Sequence, residues 1–494
     1  MPYTGDRPGR AGRKDATQIW VWGRGRPVEE ANGLLPEGII LDVSERQAGR
    51  PWLRRNGNRG NRSTMIHRLA RQMFNVIPVP EDLAPITFID RNTEQPSVDL
   101  PEGAVESVWR SVERLYRTGV HPGLQLSVRH RGRQVLNRAI GHSHGNGPGE
   151  PAGAVKTPMT TDSPICYFSA SKAVTALLMH ILAEDGSVNL MDPVSYYCPE
   201  FAQNGKRTIT LHQILSHRGG IPALPRETPI DTLWDNDEIW RLLCVARPVA
   251  VDGGKVAYHA ITGGYVLQRV LEKVTGESIE TFLDQHIRQP MGMRWFTYGI
   301  APESVSELAT NYATGPTPVF PVSWVVNRAL GGDIHTVEEV SNDPRFQEAV
   351  IPSANLCGTA EEIGRFFQMM LNGGVWEGRR ICNEMTIRRA VQQFGSLQID
   401  RTMMVPMRFS AGFMLGGDPV GLWGPNSRGA FGHVGLINKL CWADPTRDIS
   451  VSLLNTGIPI LGHHLPALAR FVYTVCHRFP RLPEASQPLG GSLA

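Results

Sequence analysis

The feature that most constrains this chain is where its two-residue apolar alternation falls. Leu124, Leu126 and Val128 alternate ahead of an Arg131-Gly132 turn, and Val135 starts a return strand, so this stretch reads as a β-hairpin. The alternation returns near the far end, in GHVGLINKLCWADPTRDISVSLLNTG (432–457), which reads as a second hairpin turning at Pro445 to Asp448. Most of what lies between is Pro-broken and carries helical spacing. Strands at both ends with helices between them predict an α/β architecture of the α+β type. One antiparallel sheet is built from both ends of the chain and flanked by helices, and an all-α domain is inserted.

Helix signals are specific at several places. AVESVWRSVERLYRTG (104–119) sets Val105, Val108, Val112 and Leu115 three and four residues apart and stops at Gly119. FSASKAVTALLMHILAEDG (168–186) places Ala173, Leu177, Leu178 and Ile181 on one face and stops at Gly186. Further helices are expected within 258–276, within 359–374, where Thr359 and Glu362 read as a capping box, and within 465–479. The expected organisation is a sheet domain from about 101–168 and 400–480, a helical domain over about 186–390, and a tail at 481–494.

Residues 1–95 read differently. They carry 14 basic side chains between Arg7 and Arg71, and RRNGNRGNR (54–62) has no apolar residue. No stacking aromatics are interleaved, so this stretch reads as a solvated, partly disordered basic extension rather than a nucleic-acid arm. Within it IWVW (19–22) and GIILDV (38–43) could form short strands.

Over the 494 residues, 41% are hydrophobic, enough for a sizeable core. A net charge of +3 is too mild to point to nucleic acid. No window offers the ~18 uninterrupted apolar residues of a membrane span, and the polar start lacks the apolar run of a secretory signal. The seven cysteines are scattered and form no C-x-x-C, which speaks against a disulfide framework or a zinc knuckle and for a reducing cytoplasm. No H-E-x-x-H, P-loop or dinucleotide fingerprint points to a metal or an organic cofactor.

Only seven of the 50 basic residues are lysine, and lysine, unlike arginine, can serve as a base. Lys172 closes the chain's single S-x-x-K, Ser169-Ala170-Ser171-Lys172. Three residues along a helix put both side chains on one face. A serine hydroxyl is a weak nucleophile until its proton is taken, and a buried lysine can take it. Ser169 also falls at a helix N-terminus, where free N–H groups can receive an oxyanion. Tyr258-His259-Ala260 precedes a helix, and a phenol beside an ammonium can act as a base. Gly432-His433-Val434-Gly435 opens a strand whose glycines allow close approach of a substrate to the backbone. Gly141-His142-Ser143-His144-Gly145 matches the nucleophile-elbow pattern, but NGPGEPAG follows and cannot start a helix, so it reads as a turn. His463-His464 has no third ligand nearby and reads as a loop.

The order of SASK, YHA and GHVG resembles the serine β-lactamase and penicillin-binding-protein-like superfamily, above all its class C-like branch with the family VIII carboxylesterases. LHQILSHRGGIP (211–222) is similar to the family's LLTHTSGLP stretch, and PSANLCGTAEEIGRFFQMMLNGG (352–374) is similar to another of its stretches. The resemblance covers about 101–479 and implies a β-lactamase/transpeptidase-like fold. It implies that Ser169 is the acylated nucleophile and that Lys172 and Tyr258 share the proton work, with Lys172 helping to keep Tyr258 deprotonated. It puts His433 where relatives carry the lysine of K-T-G, and makes the oxyanion hole from the N–H groups of Ser169 and of Leu436, beyond Gly435. Two departures stand out: Y-x-N is Y-H-A, and K-T-G is H-V-G. Both remove contacts suited to a peptide-like carboxylate and favour a small-molecule ester as substrate. The same acyl-enzyme would also serve a β-lactamase, a D-alanyl peptidase or an acyltransferase. A non-catalytic binding protein would keep the fold without needing these side chains.

Overall fold

The computed structural model describes residues 74–96, 99–151, 153–225, 227–436, 438–483 and 486–488. The candidate strands at 19–22 and 38–43 and the basic run at 54–62 lie outside them.

The sheet strands are β1 (Thr87–Ile89), β2 (Gly123–His130), β3 (Arg133–His144), β4 (Met414–Leu415), β5 (Phe431–Gly435), β6 (Lys439–Asp444) and β7 (Ile449–Asn455). They pair antiparallel in the order β1-β3-β2-β7-β6-β5-β4, and Thr157–Pro158 adds an eighth strand against β3. Both expected hairpins form. The central seam joins the two chain ends, with Leu126 opposite Leu453 and Val128 opposite Val451.

Both faces of this sheet are buried, for different reasons. Leu124, Leu126 and Val128 alternate onto the face covered by α1 (Ala104–Tyr116) and a C-terminal helix, Leu465–Arg478, where they meet Val108, Val112, Leu115, Phe471 and Val475. The opposite face presents Ser127, Ser450 and Ser452. These small residues let the helix Ala360–Leu371 sit close: Ser450 Oγ donates to Gly364 O at 3.1 Å, and a Cβ on Gly364 would stand 2.9 Å from Ser127 Oγ. That helix begins at the expected capping box, Thr359 and Glu362. Truncating Leu126 to Ala costs about 3 kcal/mol, because the cavity left between sheet and helices cannot collapse.

The folded body starts upstream of the boundary expected near residue 96. Ile77 is buried and donates its N–H to Gly119 O at 2.8 Å. β1 extends the sheet edge, and Glu94 pairs with the buried Arg138 at 2.7 Å. A three-residue edge strand is too short to carry a readable alternation, which is why the sequence hides it.

A second, three-stranded sheet joins Ile165–Cys166, Leu356–Gly358 and Thr297–Tyr298. It delivers the chain to α2 (Ser171–Glu184), which is buried along nearly its whole length. α3 (Thr262–Thr275) packs against it.

Candidate active site

Ser169 sits in a 3-10 turn, Phe168–Ala170, that runs into α2. The preceding Phe168 takes φ 49°, left-handed for a residue with a side chain. Such a position costs on the order of 1–3 kcal/mol and persists only where surroundings impose it. Here Ser171 Oγ donates to Phe168 O at 2.5 Å and itself accepts Leu356 N–H at 3.0 Å, tying the turn to the second sheet. Ser169 remains partly exposed at the head of the helix.

Lys172 lies one turn further on and is buried. Its Nζ stands 3.1 Å from Ser169 Oγ and donates to Ser353 O at 2.9 Å. The same Nζ lies 5.0 Å from the centre of the Tyr258 ring, and the Ser169 hydroxyl is near enough to the Tyr258 phenol to lower its pKa against burial. The structure therefore brings Ser169, Lys172 and Tyr258 into mutual contact.

Tyr258 precedes α3 on an irregular segment, held at three consecutive amides. Ala257 N–H donates to His217 O at 3.0 Å, Tyr258 N–H to Asp400 Oδ1 at 3.2 Å, and His259 N–H to His217 Nδ1 at 3.2 Å. Asp400 is fully buried and also accepts the N–H groups of Thr402 at 2.8 Å and Met403 at 2.9 Å on the same Oδ1. Sequence reading missed His217 and Asp400. His217 lay within a stretch similar to the family's, but no pattern surrounds Asp400, a single acid between Ile399 and Arg401.

His433 projects from β5 with its ring 6.2 Å from that of Tyr258. Its Nδ1 lies 2.8 Å from Val434 O. A carbonyl only accepts, so Nδ1 carries the hydrogen and Nε2 is a bare acceptor, buried without a partner among the described residues. Gly435 follows where no side chain fits: a Cβ there would stand 2.2 Å from Tyr167 O, two residues before Ser169. Leu436 then turns with φ 42°, and Asn438 N–H donates to its carbonyl at 2.8 Å. Strand and nucleophile turn thus touch through backbone.

Burial controls the charge state here. It pushes the Lys172 amine well below its usual value, and no carboxylate pairs with it among the described residues. Burial also raises the Tyr258 phenol above its ordinary value. The Ser169 hydroxyl opposes that rise, and the Asp400 carboxylate adds to it. The expectation that Lys172 keeps Tyr258 deprotonated is not what this arrangement favours: amine and phenol are both driven neutral. His433 falls to about 3, through burial and then the nearby Lys172. His259 falls to about 3 for the same two reasons, and His217 falls well below its usual value. Lys172, Tyr258, His217, His259 and His433 are thus all biased toward their neutral forms.

The other sequence candidates lie elsewhere. Ser143 ends β3 rather than lying in a turn, with Oγ 2.9 Å from its neighbour His144 Nδ1 and no helix following. His464 is buried and reaches Asn438 Oδ1 at 3.0 Å, so it braces the segment after Leu436. No group of three or more His, Cys, Asp or Glu residues arranged to hold a metal occurs among the described residues. No described helix is long and apolar enough to cross a membrane.

The model of the family described as Beta-lactamase matches residues 110–459, more than half of the chain. The chain belongs to this family. The match begins within α1, ends just past β7, and contains Ser169, Lys172, Tyr258 and His433. Among curated relatives, an esterase/beta-lactamase of Mycobacterium tuberculosis, LipL, is 28% identical over 312 residues, 61% of this chain and 71% of that protein. A putative D-alanyl-D-alanine carboxypeptidase of Escherichia coli is 22% identical over 297 residues, 57% of this chain and 66% of that protein. Among solved structures, a penicillin-binding protein homologue from Caulobacter crescentus is 25% identical with a TM-score of 0.65, covering 76% of this chain and 98% of that one. A family VIII carboxylesterase shares the fold at a TM-score of 0.64 and 24% identity, covering 76% of this chain and 99% of that one. The α/β fold with its antiparallel sheet is the family's, and the chain is a β-lactamase-fold serine hydrolase.

Proposed function

We propose that this chain hydrolyses carboxylic esters of small molecules through an acyl-enzyme on Ser169. The observation that carries this reading is the buried Lys172 amine, 3.1 Å from the Ser169 hydroxyl, where burial lowers its pKa and favours the neutral form. A neutral amine donating to Ser353 O still has a lone pair for the Ser169 proton. As Oγ attacks the ester carbonyl, that proton moves to Nζ, and the developing oxyanion is received by the N–H groups of Ser169 and Leu436. The Tyr258 phenol, held protonated, gives its proton to the departing alkoxide and regains one from the Lys172 ammonium. Water then attacks the acyl-enzyme, passes its proton to Lys172, and Lys172 returns it to Ser169 Oγ as the acid leaves.

Ester is favoured over β-lactam or peptide by the lack of fixed positive charge at His433. A neutral imidazole offers a hydrogen-bond acceptor but little attraction for the carboxylate that lactams and D-alanyl peptides carry. Ala260 likewise leaves out the amide that such substrates would contact. The relatives named as an esterase/beta-lactamase and a carboxylesterase fit this reading.

The test is turnover of short-chain p-nitrophenyl esters beside nitrocefin, with intact-mass trapping of the acyl-enzyme. Ser169→Ala abolishes ester turnover and the mass adduct. Undiminished activity in that variant, or fast nitrocefin hydrolysis with no esterase activity, overturns the proposal.

A further inference from the structure

The strand that delivers the nucleophile carries a feature the ester mechanism does not use. Cys166, three residues before Ser169, lies directly opposite Cys357 in the antiparallel pair Ile165–Cys166 and Leu356–Gly358. The neighbouring pair is bonded through Tyr167 N–H and Leu356 O at 2.8 Å. Bonded and non-bonded positions alternate along an antiparallel ladder, so Cys166 and Cys357 occupy a non-hydrogen-bonded position. There the Cα atoms stand roughly 4.5 Å apart and the side chains lie side by side on one face. A disulfide needs Cβ atoms about 3.5–4.5 Å apart, a spacing this position provides with little movement of backbone. Both thiols are buried and free: Cys166 Sγ donates to Ala354 O at 3.4 Å and Cys357 Sγ to Asn355 O at 3.3 Å.

We infer that Cys166 and Cys357 are an oxidisable pair, joined by a small neutral peroxide into an intrachain disulfide that staples the nucleophile-bearing strand to its neighbour.

The seven cysteines are not equivalent. Burial opposes ionisation of Cys166, but the Cys357 thiol, the Phe168 amide and the Lys439 amine outweigh it and hold its thiol below the ordinary range. Lys439, itself brought down to about 8 by burial, places its Nζ over the Phe168 ring at 5.0 Å. Burial raises Cys198 and Cys382 to about 12 and Cys244 and Cys476 to about 11, and it raises Cys441 as well. The thiolate is the reactive form, so Cys166 is the first to react. Its sulfur attacks the peroxide O–O bond to give a sulfenic acid, releasing hydroxide that takes up the thiol proton as water. The Cys357 sulfur then displaces a second water from the sulfenic sulfur as the S–S bond forms. Two thiols and one hydrogen peroxide yield one disulfide and two waters.

The experiment is hydrogen peroxide treatment of the full chain, alkylation of remaining thiols, and peptide mass mapping. The expected result is a mass loss of about 2 Da, located in a Cys166–Cys357 cross-link. A thermal midpoint about 5 °C higher, reversed by dithiothreitol, is expected because the cross-link closes a long loop. Cys357→Ser, which keeps Cys166 in place, stops at a sulfenic acid that dimedone labels at Cys166, with no rise in midpoint. A cross-link between other cysteines, or over-oxidation of Cys166 in the parent chain without a link to Cys357, overturns the inference. This chemistry does not involve Ser169, so it is read independently of the ester assignment.

Discussion

The Lys172 amine stands 3.1 Å from the Ser169 hydroxyl, and its second hydrogen bond runs to the carbonyl of Ser353, 181 positions away in the chain. A carbonyl satisfies an N–H without supplying negative charge, so burial decides the protonation of this lysine. The base is active only when unprotonated. Because burial lowers its pKa, kcat/KM for a p-nitrophenyl ester stays level down to pH values well below the usual lysine range, then falls as acid protonates the amine. Lys172→Arg puts a permanent cation in its place and lowers kcat by about 1000-fold or more across pH 5–9. A variant that keeps normal turnover, measured in a pH-rate series, refutes the role given to this amine.

Asp400 acts on Tyr258 by position and by charge. Asp400→Asn retains an oxygen for the Tyr258, Thr402 and Met403 amides while removing the carboxylate that raises the phenol. It is expected to keep turnover at pH 7 within about fivefold and to bring the alkaline fall in kcat/KM to lower pH, since the phenol then ionises more easily. Asp400→Ala leaves three buried amides without their acceptor. It costs about 3 kcal/mol of stability and at least tenfold in kcat. Denaturant melts beside the pH-rate profiles separate the two effects, and equal behaviour of the two variants contradicts this division.

Gly435 has no space for a methyl group. In Gly435→Ala the new Cβ meets the backbone oxygen of Tyr167 at 2.2 Å, so β5 must move away from the turn that carries Ser169. Displacement of the Leu436 amide from the oxyanion position is expected to lower kcat by about 100-fold with a smaller change in KM. Steady-state kinetics on one short-chain ester decide it.

Asp448 offers a stability prediction away from the cleft. Burial raises its carboxyl to about 6, only partly offset by the Arg131 guanidinium. The folded state therefore binds this proton more tightly than the unfolded chain, and stability falls as pH rises from about 4 to 6. Asp448→Asn removes that loss and suits the left-handed φ of 49° at this turn. A gain of about 1 kcal/mol at pH 7, discounted for partial exposure, should vanish near pH 4. Thermal melts at the two pH values measure the difference.

Local order decided much of this protein. The alternation of Leu124, Leu126 and Val128, the Thr359/Glu362 capping box and the i, i+3 spacing of Ser169 and Lys172 depend on near neighbours in the chain, and each is legible as such. Packing decided the rest. Asp400 meets the Tyr258 amide across 142 positions, and Cys166 faces Cys357 only through a strand register that no short pattern records. The pKa shifts of Lys172, His433 and Tyr258 toward the neutral form are likewise products of tertiary structure, because desolvation depends on what surrounds a side chain in space and not on the residues beside it in sequence.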